Sequence, residues 1–119
     1  MVAVAVVLGL VLLGGACGGN DGGGDTPSAR GAELARTNGC TSCHGQSGEG
    51  RLGPPWRGLA GSEVRLADGR TVVADSAYIR RAITDPQAEQ RPGYTVPMPR
   101  IPLAEQDVDD LVAYVESFR

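Results

Sequence analysis

Apolar residues fall along the chain in distinct patterns, and each pattern predicts a different element. Val2 to Leu13 is an apolar run of 12 residues. It is too short to cross a bilayer as a helix and has the length of a signal-peptide core. Gly18 to Ser28 carries Gly, Asn and Asp and no large apolar side chain. Such a segment buries no surface, so it reads as a flexible linker with a reach of about 20 Å. Ala29 to Asn38 then sets Ala32, Leu34 and Ala35 on a first helix, with Pro27 near its start and Gly39 as a stop. Gly31 has no side chain, so another helix can cross there closely.

The pattern changes from Gly61 to Ala74. Val64 and Leu66 alternate with polar residues, Asp68-Gly69 is a tight-turn signal, and Thr71-Val72-Val73 returns as a second β-rich run, which predicts a small hairpin. Asp75 caps a helix through Thr84 whose face is Tyr78, Ile79, Ala82 and Ile83, and Asp85-Pro86 ends it. Val108, Leu111, Val112 and Val115 recur at i, i+3, i+4 and i+7, with Tyr114 beside them, on a last helix from Glu105 to Phe118. Glu105, Asp107, Asp109 and Asp110 crowd its first turns, where the helix dipole favours negative charge. The fold class is therefore mainly α with a short β-hairpin insertion. The chain divides into a signal peptide at 1–16, a linker at 17–28 and one domain at 29–119.

Composition adds a problem. Leu, Ile, Val and Phe supply only 17 of the 91 residues in the domain, near the level at which chains fail to build a core. A net charge of −3 does not point to disorder. A large apolar prosthetic group at the centre would supply the missing surface. All 11 basic residues are Arg and they are scattered, and the isoelectric point is about 5.0. Without a basic stripe, nothing points to nucleic acid as a partner.

Cys40-Thr41-Ser42-Cys43-His44 identifies the group. Cys-x-x-Cys-His is the attachment signature of a c-type haem in an exported protein. Two thiols one helical turn apart can both add to vinyl groups on one edge of a porphyrin, and His44 then lies under the iron as proximal ligand. A thioredoxin-like pair would want a strand before the motif, but a helical pattern precedes it and a Gly-rich stretch follows. A zinc site would need a fourth ligand, and His44 is the only histidine and Cys17 the only other cysteine. One haem c, covalent at Cys40 and Cys43, is the expected cofactor. With a single histidine, bis-His ligation within the chain is impossible. Met98 is the only methionine beyond the signal segment, and Pro97 and Pro99 stiffen the backbone on both sides of it. Met98 is the expected sixth ligand, with a gap-filling core methionine as the alternative. Met/His ligation leaves no open iron position and suits electron transfer.

Gly14-Gly15-Ala16-Cys17 after the apolar run resembles the lipobox of bacterial lipoproteins, although Leu13 stands one position further from the Cys than is usual there. The resemblance implies cleavage before Cys17, a lipidated Cys17, and a membrane anchor. A spare thiol of a secreted protein, or an uncleaved anchor, is the alternative. Haem attachment to such motifs takes place outside the cytoplasm, so the expected location is the outer face of the bacterial cytoplasmic membrane.

Gly53-Pro54-Pro55-Trp56 follows the haem motif, an arrangement that resembles the class I cytochromes c. The resemblance implies that Pro54, with Pro55 as runner-up, turns its carbonyl to the proximal His44. Trp56 and Arg57 are candidates for the haem edge, against the alternative of a packed Trp and a solvated Arg. The resemblance extends through Gly58-Leu59, Gly61-Ser62, Val64, Leu66, Asp68-Gly69, Thr71-Val72, Ala74-Asp75, Tyr78-Ile79, Ile83, Asp85-Pro86, Gly93-Tyr94 and Met98-Pro99. These residues are similar to the cytochrome c domain fused to subunit II of some bacterial haem-copper cytochrome c oxidases, and they make Tyr94 a further candidate for the haem site. The membrane hairpin and copper domain of that family are not in this sequence, so the chain reads as a free-standing relative. What the resemblance implies is a class I cytochrome c fold around a covalent haem, acting as a membrane-tethered one-electron carrier and not as an enzyme. It would take electrons from one redox protein and give them to another, in a respiratory chain that ends in a cytochrome c oxidase. A haem-based sensor and an electron-entry subunit of a larger oxidoreductase are the competing readings.

Overall fold

The computed structural model describes residues 24–119. The apolar run, Cys17 and all of the Gly-rich stretch before Gly24 lie outside them. Four helices and one two-stranded sheet make up the described chain: α1 (Pro27–Thr37), α2 (Cys40–His44), β1 (Glu63–Arg65), β2 (Thr71–Val73), α3 (Ser76–Thr84) and α4 (Glu105–Glu116). Among the described residues no helix is long and apolar enough to cross a membrane.

The two long helices at the ends of the domain pack on each other. Helix α1 begins two residues before the expected Ala29, because the Thr26 side chain accepts from the Ala29 N–H and Pro27 occupies the first turn, where its missing N–H is not needed. At the crossing with α4, a β-carbon on Gly31 would lie 2.0 Å from the Asp110 carbonyl oxygen and 2.7 Å from the β-carbon of Tyr114. Only glycine permits that approach. One residue away, Arg30 closes the contact with a two-pronged pair to the Asp110 carboxylate, Nε to Oδ2 at 2.8 Å and Nη2 to Oδ1 at 3.0 Å. Asp110 is 2% exposed. A carboxylate that deep requires a partner, and Gln106 Nε2 adds a further donor at 3.2 Å.

Helix α4 ends at Glu116, before the expected Phe118, and buries Val108, Leu111, Val112 and Val115 as the periodicity predicts. Helix α3 lies antiparallel against it, with Ser76 bonded to Glu116 near one end and Arg80 paired with Glu105 and Asp109 near the other. Asp75 caps α3 by accepting from the Tyr78 N–H at 2.7 Å. The hairpin pairs Glu63 with Val73, Val64 with Val72 and Arg65 with Thr71, antiparallel. Its alternation sends Val64 and Leu66 into the core, both 2% exposed, and leaves Val73 outside. Gly69 makes the turn at φ 91°, and the Asp68 side chain accepts from the Arg70 N–H at 3.0 Å.

The Arg30 guanidinium beside Asp110 holds that carboxyl below its ordinary value. The unfolded chain therefore binds the extra proton first as pH falls, so the pair contributes stability above about pH 3.8 that is lost as pH falls through the lowered folded-state value. The holoprotein should lose thermal stability below that pH more steeply than its Asp110→Asn variant. Parallel melting profiles of the two over roughly pH 5 to 2 would remove Asp110 from this role.

Candidate functional site

Helix α2 is little more than one turn, and that turn presents the motif. Gly39 enters it at φ 76° and Gly45 leaves it at φ 88°, conformations that side chains disfavour. Cys40 and Cys43 are then three apart on a helix and share a face. Both are free thiols, half-buried, and burial pushes the Cys40 thiol up in pKa. The element before them is a helix, not the strand of a thioredoxin-like arrangement. Among the described residues no three His, Cys, Asp or Glu side chains gather as a metal site would require.

The loop after α2 folds back on it. Gly50 N–H donates to the His44 carbonyl at 2.7 Å and Gly53 N–H to the Cys43 carbonyl at 2.9 Å. These bonds bring the next residue's carbonyl to the imidazole: His44 Nδ1 lies 2.7 Å from the Pro54 oxygen. A carbonyl can only accept, so Nδ1 carries the proton and Nε2 keeps its lone pair. Burial pushes the imidazole pKa down, opposed in part by the Pro54 carbonyl, so the ring is neutral at neutral pH. Gly53 is part of the same cradle. A β-carbon there would meet His44 Cε1 at 2.8 Å and Nδ1 at 3.0 Å.

Trp56 packs on the imidazole. Its indole stacks on His44 with centroids 4.8 Å apart and planes 20° apart, and it meets Tyr114 and Phe118 at 5.7 Å and 6.0 Å. It is 8% exposed, a packed residue that also lines the cleft described below. Arg57 does not reach that cleft. Its Nε donates to the Ser47 carbonyl at 2.7 Å and the side chain is exposed, which is the solvated alternative.

A cleft of about 450 Å³ opens beside α2. Cys40, Cys43, His44, Pro54, Trp56, Tyr94 and Met98 all line it, so seven of the eight expected site residues are brought together from segments up to 58 positions apart. Its walls are mostly apolar, from Leu59, Ile79, Ile83, Leu103, Leu111 and Val115. Leu52, Tyr94 and Val96 are exposed large side chains, and all three line this cleft, where a flat apolar group would cover them. Two residues of the cleft carry no sequence signal of their own: Arg91, whose guanidinium sits 5.9 Å from the Tyr94 ring centroid, and Gln87, which bonds the Met98 backbone. They lie in an irregular loop where no periodicity marks a site.

Free thiols on one face, a neutral imidazole with Nε2 unengaged, and an apolar cleft between them fit a porphyrin attached through its edge. The sequence model of the cytochrome c family matches residues 28–119. The chain belongs to the cytochrome c family. A search of curated proteins gives no match. Family membership implies haem c as cofactor and one-electron transfer as function, in a class I cytochrome c that is mostly helical with a small antiparallel sheet. An electron carrier makes and breaks no substrate bond, which separates it from an enzyme.

The Gly53 cradle makes a direct prediction. Gly53→Ala should displace the imidazole from the Pro54 carbonyl and destabilise the holoprotein by about 1–3 kcal/mol, the range for an overpacked site. Chemical denaturation followed at the haem absorption band measures it, and an unchanged midpoint would show that the ring is not confined there.

Proposed function

We propose that the chain is a membrane-tethered one-electron carrier of a respiratory chain, delivering electrons to a terminal cytochrome c oxidase. In this reading Cys40 and Cys43 hold one covalent haem c, His44 and Met98 are its axial ligands, and Cys17 carries the lipid that anchors the protein outside the cytoplasmic membrane. The bound haem supplies the redox chemistry, with its iron cycling between ferrous and ferric. The observation that carries the reading is the common cleft lined by both Cys thiols, His44 and Met98.

Each residue then has a physical task. Pro54 fixes the imidazole tautomer and orientation, and a hydrogen-bonded imidazole is the more basic ligand. Trp56, Leu59, Ile79 and Leu111 exclude water, which lowers the local dielectric and so the reorganisation that accompanies a change of charge. Met98 would supply a neutral soft donor to the iron, which would raise the reduction potential and leave no place for a gas ligand. The likeness to the cytochrome c domain of oxidase subunit II supports the terminal oxidase as electron acceptor.

Two experiments test the reading. The exported protein should carry a haem mass on Cys40 and Cys43, show a weak iron–sulfur band at the red end when ferric, and ignore carbon monoxide when ferrous. Met98→Ala should lose the band, bind carbon monoxide and shift to lower potential. Ready carbon monoxide binding by the parent would turn the assignment towards a haem sensor. For the anchor, Cys17→Ser should lose its acyl mass and move to the soluble exported fraction, since two or more chains are needed for stable anchoring. A parent protein already soluble, with a mature start elsewhere than Cys17, would overturn the tether.

A further inference from the structure

The segment that carries Met98 has little backbone structure of its own. From residue 97 to residue 103 it belongs to no helix or strand and forms no backbone–backbone hydrogen bond among the described residues. Pro97 and Pro99 have no N–H to give. They restrict the local dihedrals without tying the segment to anything. What does tie it comes from the residues just after α3.

Gln87 Nε2 donates to the Met98 carbonyl oxygen at 2.8 Å. The same amide is oriented from behind, because Gln90 Nε2 donates to Gln87 Oε1 at 2.9 Å, which leaves the nitrogen facing Met98. Two residues further along, Arg100 pairs with Asp85 at the end of α3. That pair is exposed on both sides and is screened by salt, so it is the weaker tie. The support itself is braced. Ala88 N–H donates to the Asp85 carbonyl at 3.0 Å, and Ala67 N–H, on the hairpin turn, donates to the Gln90 carbonyl at 2.8 Å. Glu89, between them, takes Arg81 at 3.1 Å and has Arg70 of the hairpin at 4.0 Å.

We propose that Gln87 is a positioning residue for the sixth iron ligand: its side-chain amide holds the Met98 backbone, and the β-hairpin braces that amide through Gln90. The proposal rests on Met98 being the axial ligand. It gives the hairpin a task beyond the core, since its turn supports the loop from which Met98 is held. It also explains how a ligand between two prolines, with no ladder of its own, keeps one place.

Imidazole added to the ferric holoprotein at neutral pH competes with Met98 for the iron, and its affinity reads how firmly Met98 is held. Gln87→Ala should raise that affinity roughly threefold to tenfold, the range for one net hydrogen bond. Gln87→Glu keeps the size of the side chain and an acceptor for Gln90 but has nothing to donate to the Met98 carbonyl, so it should raise the affinity at least as much. Both variants should also lose the iron–sulfur band at lower temperature than the parent. Met98→Ala calibrates the assay by binding imidazole far more tightly. If Met98→Ala binds tightly while both Gln87 variants behave as the parent, Gln87 has no positioning role. If Gln87→Ala alone differs, the effect is one of bulk and the hydrogen bond is not its cause. If the parent binds imidazole as readily as Met98→Ala, Met98 is not the ligand, and both this proposal and the axial assignment fall together.

Discussion

The hydrogen bond between His44 and Pro54 is the contact on which the site depends, because it sets which imidazole nitrogen is left to act. That bond is not local. It exists because residues 45–53 fold back over α2 with two backbone bonds to the carbonyls of Cys43 and His44, and because Gly53 leaves the ring its space. Trp56 then stacks on the ring and is itself held from the opposite end of the chain by Tyr114 and Phe118. Gly58 N–H donates to the Phe118 carbonyl at 2.9 Å, which pins the loop to the C-terminus. His44 is thus positioned by both ends of the domain.

The same two ends meet at Gly31. The chain is poor in large aliphatic residues, so it depends on close approach rather than on bulk: two helices whose backbones nearly touch, locked by Arg30 on a buried Asp110. The buried aliphatic and aromatic side chains form one cluster, and several of them, Ile79, Leu111 and Val115 among them, line the cleft as well as the core. A protein whose core residues also line its cofactor cleft couples folding to cofactor binding. That is the structural counterpart of the compositional shortage.

Much of this was legible in the chain because the signals were periodic or covalent. The apolar stripe of α4 and the alternation at Val64 and Leu66 give their elements directly, and Asp75 marks the start of α3. Gly31 was readable as a crossing point because only a missing side chain permits one. Cys40, Cys43 and His44 are a motif, and Met98 stands out by scarcity. Other features lay in non-local geometry. Asp110 sat among acidic residues suited to the start of α4, and nothing in the sequence separates a solvated carboxylate from the one that turns inward to Arg30. Arg57 adjoins Trp56 in sequence, yet its guanidinium turns to Ser47, while Arg91, 34 residues later, reaches the cleft. Gln87 sits 11 positions before Met98 in a stretch without pattern.

The two sides of the cleft are built by different means, and the difference bears on function. On the His44 side a short helix, several backbone hydrogen bonds and an aromatic stack leave the ring one orientation. On the Met98 side the backbone is tied by a glutamine amide and an exposed ion pair. Backbone bonds inside a closed loop are removed only when the loop opens, whereas a side-chain tie can be released singly, so the Met98 segment is held by the fewer and more separable contacts. With Met98 as the proposed sixth ligand, that asymmetry would be tolerable only while the tie holds, because an open sixth position changes both potential and reactivity. The hairpin's backing of residues 87–90 is what makes a loop without regular structure sufficient for that purpose.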